Sequence, residues 1–495
     1  MYKCLLFSVS ATGEYARQIG IHRIATSLRQ QNWDAEVIDF GAVWTLDELK
    51  ALARSRIDSD TKFIGFSYLM IQYNHTYQEF CLWLKHEYPE IHLIYGSTML
   101  PQFDTDVFDY YVVGFGENGL KELLKYLYSN GQRPRFELLL DSKKKVINAD
   151  NNYPAHPLKD ARVIYERRDY IQSYEWLGIE FSRGCKFKCS FCNSAVLGVK
   201  GDYSRDSEDA RLELQDNFDL WGVTNYIVSD DTFNDRTEKI TKFADVVETL
   251  TFKPWFSAFI RADLLASRSK DREELLRMGV NGHFYGIESF NTKTLKAFKK
   301  GSNPERIKQT LLEVKDMFSK HNGYRGTIGI IVGGPYETVQ SQQETFDWLN
   351  EHWAYENVLP NTLQIFEGKT IWKSLLSESY ETYGYRKMSD DAVAKYGAHK
   401  ILDMMNFKTM TEYKDKTTSY KILWENEHFN SFTANDAKDA YYNTIGGKMT
   451  ISAFTLSYLS KDSIQDRLTK LQNRYMYQNI DVSLLENYKK FKLSL

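Results

Sequence analysis

Cysteine is scarce. There are 5 in 495 residues, an odd number and too few for a disulfide framework in a chain of this size. An excess of charge is also missing. Lys and Arg number 63 against 66 Asp and Glu, a net charge of −3, which gives no support to a globally basic nucleic-acid binder or a membrane-surface protein. No uncharged apolar run reaches the ~20 residues of a membrane span. The apolar part of Met1–Phe7 is too short for a secretory signal and reads as a first strand. Beyond residue 370 there is no repeat and no low-complexity tract. A soluble cytoplasmic protein is the expectation. What remains is ordinary globular usage, 42% hydrophobic and 26% charged, in a chain long enough for roughly two to four domains with buried cores.

The first 140 residues alternate strand and helix patterns. Lys3–Val9, Ala35–Phe40, Phe63–Leu69, Ile91–Tyr95 and Tyr110–Val113 are short apolar runs. Between them, Ile21, Ile24, Ala25 and Leu28 recur at helical spacing, and Tyr77–Tyr88 and Leu120–Leu127 are helical in pattern. Such alternation predicts an α/β domain with a parallel sheet covered on both faces, a Rossmann-like, flavodoxin-type arrangement over residues 1–140. Ligands bind such sheets at the carboxyl ends of the strands. The residues there are small and polar: Ser8, Ser10, Thr12 and Gly13, then Ser67, then Gly96-Ser97-Thr98, then Gly114-Phe115-Gly116-Glu117.

Residues 141–172 read as a surface linker, with Lys143-Lys144-Lys145, an Asn-rich stretch and prolines at 154 and 157. A second βα series occupies residues 173–370. Its strand candidates are Leu177–Phe181, Tyr226–Ser229, Trp255–Ile260, His283–Ile287, Thr327–Val332 and Thr362–Phe366. Six units fall short of an eight-unit barrel and predict a partial, open (β/α)6 barrel. Residues 371–495 read as α-helical, with Ala392–Asn406 and Ser463–Tyr475 as helices and a turn at Gly446-Gly447. They carry no chemical motif.

The chemistry is concentrated in Cys185-Lys186-Phe187-Lys188-Cys189-Ser190-Phe191-Cys192, directly after a strand. Three thiolates at spacings of four and three can converge on one soft metal centre. Structural zinc wants four closed ligands, and no fourth Cys or His lies nearby. A [4Fe–4S] cluster usually takes four cysteines. Three leave one iron open to a substrate or cofactor. Cys4 and Cys81 sit alone in apolar surroundings and read as small buried hydrophobes.

This motif, after the first strand of a βα barrel, resembles the radical S-adenosylmethionine (SAM) superfamily over roughly residues 170–370. The resemblance implies that SAM chelates the open iron, and that one-electron reduction cleaves SAM and starts radical chemistry. It implies Cys185, Cys189 and Cys192 as cluster ligands and Phe191 against the adenine. Ser229-Asp230-Asp231-Thr232-Phe233 stands where the family holds the SAM amino group, which implicates Ser229 and Asp230, with an acidic helix cap as the alternative. Arg261 stands where it could pair with the SAM carboxylate or with a structural acid. Glu288-Ser289 looks like the ribose-contacting segment. Gly333, in Gly329–Thr338, looks like the family's Gly-rich strand beside adenine.

The N-terminal domain resembles the cobalamin-binding domain fused ahead of many such enzymes. Ser67-Tyr68-Leu69 matches its Ser-x-Leu, and Gly96-Ser97 approximates its Gly-Gly. The Asp-x-His-x-x-Gly that supplies a lower axial histidine is absent. Residues 8–14 run Ser-Val-Ser-Ala-Thr-Gly-Glu, and His22 lies inside the first helix without the preceding Asp. On this resemblance either cobalamin binds without a protein histidine or the domain has lost it.

The reading is therefore a radical SAM enzyme with a [4Fe–4S] cluster, SAM and, where the first domain keeps it, cobalamin for methyl transfer. It implies a small-molecule or peptide substrate and an electron donor such as flavodoxin or ferredoxin. Two alternatives stand beside it. A methylthiotransferase needs three further N-terminal cysteines, which Cys4 and Cys81 cannot supply. A non-catalytic zinc-stabilised binding protein needs a fourth ligand.

Overall fold

Apolar residues at alternating positions bury both faces of each strand in the N-terminal part. Leu5, Phe7 and Val9 point into one core, Cys4 and Leu6 into the other. In a computed structural model these runs form β1 (Lys3–Val9), β2 (Asp34–Ile38), β3 (Thr61–Tyr68), β4 (His92–Ser97), β5 (Tyr110–Val113) and β6 (Val146–Asn148). They make one parallel sheet in the order β2-β1-β3-β4-β5-β6. The structure describes residues 1–9, 17–68, 75–97, 107–137, 145–154, 158, 160–194, 196–301, 303–321, 323–353, 358–366, 374–397, 422–444 and 482–495. Ser10, Thr12, Gly13, Leu69, Thr98, the helix expected at Ser463–Tyr475 and the Gly446-Gly447 turn lie outside these residues.

Helices α1 (Ile19–Arg29) and α4 (Gly116–Tyr128) cover one face of this sheet, and α2 (Leu46–Arg56) and α3 (His75–Glu87) the other. A capping box between Thr45 and Glu48 starts α2. The segment expected to be linker contributes β6 and the short α5 (Ala149–Asn152). Three apolar-flanked residues between a lysine run and an Asn-rich stretch are too short for their period to be read.

The second sheet is also parallel: β7 (Trp176–Ile179), β8 (Asn225–Val228), β9 (Trp255–Ile260), β10 (Val280–Glu288), β11 (Arg325–Val332) and β12 (Val358–Thr362), in order β12-β11-β10-β9-β8-β7. Its ends do not pair with each other among the described residues, so the barrel is partial and open. Helices α6 (Ser207–Trp221), α7 (Thr237–Glu248), α8 (Ala262–Ser267), α9 (Lys270–Met278), α10 (Thr292–Ala297), α11 (Pro304–Ser319) and α12 (Val339–His352) connect the strands. The sixth strand forms four residues earlier than expected. Pro360 argues against a strand, but β12 is the sheet edge, where a missing N–H is tolerated.

The opposite edge, β7, is covered by the first domain. A Cβ on Gly178 would lie 2.6 Å from Ile19 Cβ, so only glycine lets α1 approach this strand so closely.

The C-terminal part is helical as expected in α13 (Leu375–Glu378), α14 (Asp390–Tyr396), α15 (Ser431–Thr444) and α16 (Val482–Ser494). It also holds an antiparallel ribbon, β13 (Arg386–Lys387) with β14 (Trp424–Glu425). The last helix returns to the first domain. Leu484, Leu485 and Tyr488 enter the core under β1 and β2, Lys489 pairs with Glu48 at 2.6 Å and Lys492 with Glu36 at 3.2 Å.

Buried charges tie these parts together. Arg17 pairs with Glu175, and donates to Asp39 (2.6 Å) and to the carbonyls of Asp169 (2.7 Å) and Tyr170 (2.9 Å). Its guanidinium lies over the rings of Phe40 and Tyr488. His22 is buried in the same knot, 3.0 Å from Asp39, so it is a packed histidine.

Candidate functional site

The chain leaves β7 and enters the loop that carries the three cysteines. Backbone bonds fix its course. Cys185 N–H donates to Val196 O (2.9 Å), Gly198 N–H to Cys185 O (2.6 Å) and Ser190 N–H to Phe298 O (3.1 Å). Ser190 Oγ donates to Ala297 O at 2.8 Å. The thiols are free, Cys185 and Cys189 buried and Cys192 half-buried.

Each thiol has a polar side chain or backbone N–H beside it, and Cys185 also accepts from Phe187 N–H. Thr232 Oγ1 lies 3.5 Å from Cys185 Sγ. Arg261 Nη1 donates to Cys189 Sγ at 3.2 Å, and Ser194 N–H donates to Cys192 Sγ at 3.5 Å. Burial pushes the Cys192 thiol up to about 11 and also raises Cys185. Buried thiols of this kind become thiolates when a metal centre takes them.

Among the described residues no three Cys, His, Asp or Glu side chains gather as tightly as a single ion requires. A cuboidal cluster spreads its thiolates over several irons and needs them further apart. The donor set fits such a group: three thiols with hydrogen-bond donors behind them, and a buried Asn193 Oδ1, next to Cys192, without a partner among the described residues. Cys4 and Cys81 take no part. They are buried in opposite cores of the first sheet.

Phe191 packs edge-on against Phe298, with Lys300 Nζ 5.7 Å from its ring centre. Beyond β8, Ser229 is exposed and its Oγ donates to Ile179 O at 3.1 Å. Asp230 differs from the expectation. It is buried and accepts from Phe181 N–H (2.8 Å), Ser182 N–H (3.0 Å), Ser182 Oγ (2.5 Å) and Lys239 Nζ (3.2 Å). Those donors fill the lone-pair sites of both oxygens, so Asp230 braces the start of the cysteine loop instead of facing a ligand. The exposed acid is its neighbour Asp231, whose only described partner is Ser194 Oγ at 3.2 Å. The protein crowded around it desolvates its carboxyl and pushes it up to about 6.

Lys239 is the residue the sequence did not reveal. From α7 it reaches Ser182 Oγ (2.9 Å), Asp230, Asp235 (2.8 Å) and Thr232 O (3.1 Å). Its one visible signal is a lysine at the buried position before Ile240.

Arg261 is buried, and its Nε and Nη2 are taken by Asp263 at 3.0 and 2.7 Å. Of the two readings offered by the sequence, the ion pair is the one formed. Glu288 sits beyond a bulge at the carboxyl end of β10 with φ +70°, held by Lys300 at 2.8 Å. Backbone strain of this kind costs about 1–3 kcal/mol and concentrates at functional sites. Ser289 Oγ donates to the buried Glu337 at 2.7 Å, which makes Ser289 a brace for the turn after β11. Gly333 serves packing. A Cβ there would lie 2.5 Å from Trp424, and its carbonyl accepts from Tyr385 Oη at 2.7 Å. Its glycine is required by the C-terminal ribbon and by φ +81°. Ser67 and Gly96 are register partners at the carboxyl ends of β3 and β4, both half-buried.

One contact joins the two halves of the site. Arg183, two residues before Cys185, pairs with Glu117 at 2.9 Å and with Glu180 at 2.7 Å. Its guanidinium lies 4.0 Å over the ring of Phe115. Phe115 caps α4 and Glu117 lies in its first turn, directly after β5, so the cysteine loop is pinned to the carboxyl edge of the first sheet.

Residues 179–349 match the family model of the radical SAM superfamily. This segment carries Cys185, Cys189 and Cys192 and four of the six strands of the second sheet, β8 to β11. An uncharacterized methyltransferase of Synechocystis sp., sll1242, is 28% identical over 270 residues, 52% of this chain. The match spans 46% of that relative, so the chain spans about half the length of the curated relative it matches. Among solved structures, TsrM from Kitasatospora setae, a radical SAM methyltransferase with cobalamin and a [4Fe–4S] cluster bound, covers 99% of this chain and 98% of its own at TM-score 0.66 and 11% identity. OxsB, a cobalamin-dependent SAM radical enzyme with aqua-cobalamin bound, covers 100% of this chain and 80% of its own at TM-score 0.60 and 15% identity. No helix among the described residues is long and apolar enough to cross a membrane.

Proposed function

We propose that this chain is a cobalamin-dependent radical SAM methyltransferase, in which Cys185, Cys189 and Cys192 hold the cluster and the first sheet holds cobalamin. The observation that carries the reading is the Arg183 clamp. It fastens the cysteine loop to Glu117 and Phe115 at the carboxyl edge of the first sheet. A group held on that edge and a group held by the cysteines would then face one shared space. The likeness in fold to TsrM and OxsB over nearly the whole chain, and the methyltransferase relative, support it.

When bound, the cluster supplies one electron to SAM and cobalamin supplies a cobalt able to accept and pass on a methyl group. The chain's residues do the holding. Three cysteines leave one iron for SAM. Asp231 would hold the SAM ammonium, Phe191 would offer its ring to the adenine, and Glu288, oriented by Lys300, would hold the ribose. Ser67 and Gly96 give the first sheet a small polar floor under a corrin ring. The substrate is a small molecule or peptide, the reductant a flavodoxin or ferredoxin, and the compartment the cytoplasm.

Asp231→Asn should leave the iron content intact and weaken SAM binding ten- to a hundred-fold. A charge-assisted hydrogen bond is worth about 1.5–3 kcal/mol. Asp230→Asn should instead lower stability, because it removes the charge that Lys239 faces. Calorimetric titration with SAM separates them. Parental SAM affinity in Asp231→Asn would remove that residue from the site.

The cobalamin reading is tested by anaerobic reconstitution and electron paramagnetic resonance of the Co(II) form. His22 is engaged by Asp39 and the axial-histidine motif is missing, so the spectrum should lack nitrogen superhyperfine splitting from an imidazole. Retained cobalamin with such splitting would refute the ligand prediction. Failure to retain cobalamin at all would refute the methyltransferase reading and leave a SAM-cleaving radical enzyme with a scaffold domain.

A further inference from the structure

We infer that Arg261 is a positioning residue that sets the reduction potential of the cluster through the Cys189 thiolate. The inference rests on the proposed cluster ligands and goes beyond them. Among the described hydrogen-bond partners of the three thiols, Thr232 and the Phe187 and Ser194 N–H groups are neutral and Arg261 alone is charged; the Asp231 carboxylate acts on Cys185 and Cys192 through space without bonding to them.

Contacts to four residues fix Arg261, one at its backbone and three at its guanidinium. The Arg261 backbone is locked on both sides to Asn234, N–H to Oδ1 at 2.8 Å and carbonyl from Nδ2 at 3.0 Å. The plane lies 4.1 Å over the ring of Phe187, itself inside the cysteine loop. Nε and Nη2 form a two-point pair with Asp263. That leaves Nη1 aimed at Cys189 Sγ at 3.2 Å. The side chain is 8% exposed, so water screens its charge weakly.

A cluster's potential follows its net charge, the hydrogen bonds to its sulfurs and its exposure to solvent. Reduction adds one electron from a one-electron donor, taking the cluster from the 2+ to the 1+ state. No bond forms or breaks at Arg261, and the guanidinium stays protonated in both states. The added negative charge sits closer to Arg261 than to Asp263, because the thiolate touches Nη1 and the carboxylate lies behind the far edge. The cation therefore favours the reduced state, and Asp263 offsets part of that effect. The two residues should act with opposite sign.

The experiment is a potentiometric titration of the reconstituted full-length protein with dithionite, read by electron paramagnetic resonance of the reduced cluster. At the parent's midpoint, Arg261→Gln should show a reduced-to-oxidised ratio about tenfold lower, a shift of about 59 mV toward more negative potential for one electron. Asp263→Asn should shift the other way. Arg261→Lys, which keeps the charge but loses the two-point fork, should fall between the parent and Arg261→Gln. Iron-loaded Arg261→Gln with the parent's midpoint, or Arg261 and Asp263 variants shifting in the same direction, would overturn the inference. Should Arg261→Gln fail to load iron, the opposed shifts of Arg261→Lys and Asp263→Asn decide it. A parent chain that binds no cluster would sink the ligand assignment itself, a separate and recognisable failure.

Discussion

Alanine at Cys185, Cys189 or Cys192 should abolish the broad thiolate-to-iron absorption and all reductive cleavage of SAM, one substitution being enough. The loop supplies three thiols, and the chain's other two cysteines lie elsewhere. Cys4 and Cys81 are sealed in opposite cores of the first sheet. The fold should survive each change, because the loop's course is set by backbone bonds to Val196, Phe298 and Leu376. A triple alanine variant that still bound four irons would show the ligands to lie elsewhere.

The second large effect is on stability. Arg17→Leu should cost about 3–5 kcal/mol, because it strands Glu175 as a buried charge without its cation and leaves Asp39 with His22 alone. Burial works against the Asp39 charge, and His22 and Arg17 outweigh it, holding its carboxyl below the usual carboxylate range. Asp169 is likewise depressed, Arg29 and His22 outweighing burial. Their stabilising share is thus fully present above about pH 4 and is lost as pH falls below it. The loss should exceed that of a surface substitution several-fold, since the knot joins the first domain, the entry to β7 and Tyr488 of α16. Urea unfolding within 0.5 kcal/mol of the parent would show the knot to be energetically neutral.

The strands were legible because their periods are strong. Tyr110–Val113 and Trp255–Ile260 formed as read. The three cysteines were legible because their spacing is local. What could not be read was pairing over distance. Asp230 and Asp231 are adjacent acids in one motif, and Phe181 and Ser182 after β7, with Lys239 brought over by α7, occupy the first while the second stays exposed. Glu117 and Arg183 are 66 positions apart, and nothing local marks them as partners. Gly333 shows the same limit from another side. Its glycine was visible, but Trp424, the residue that demands it, comes from a ribbon whose two-residue strands carry no period. The return of α16 to the first domain is likewise a tertiary fact, set by Leu485 and Tyr488 finding a groove more than 400 residues upstream.

The central claim is that three cysteines hold a cuboidal cluster with one iron left for SAM. Its most direct test is iron and acid-labile sulfide analysis of the anaerobically reconstituted chain, with the resonance of the reduced cluster recorded before and after SAM is added. Four irons and four sulfides per chain, and a spectrum that changes with SAM, are the predicted result. One zinc per chain without sulfide, or a full cluster blind to SAM, would contradict it.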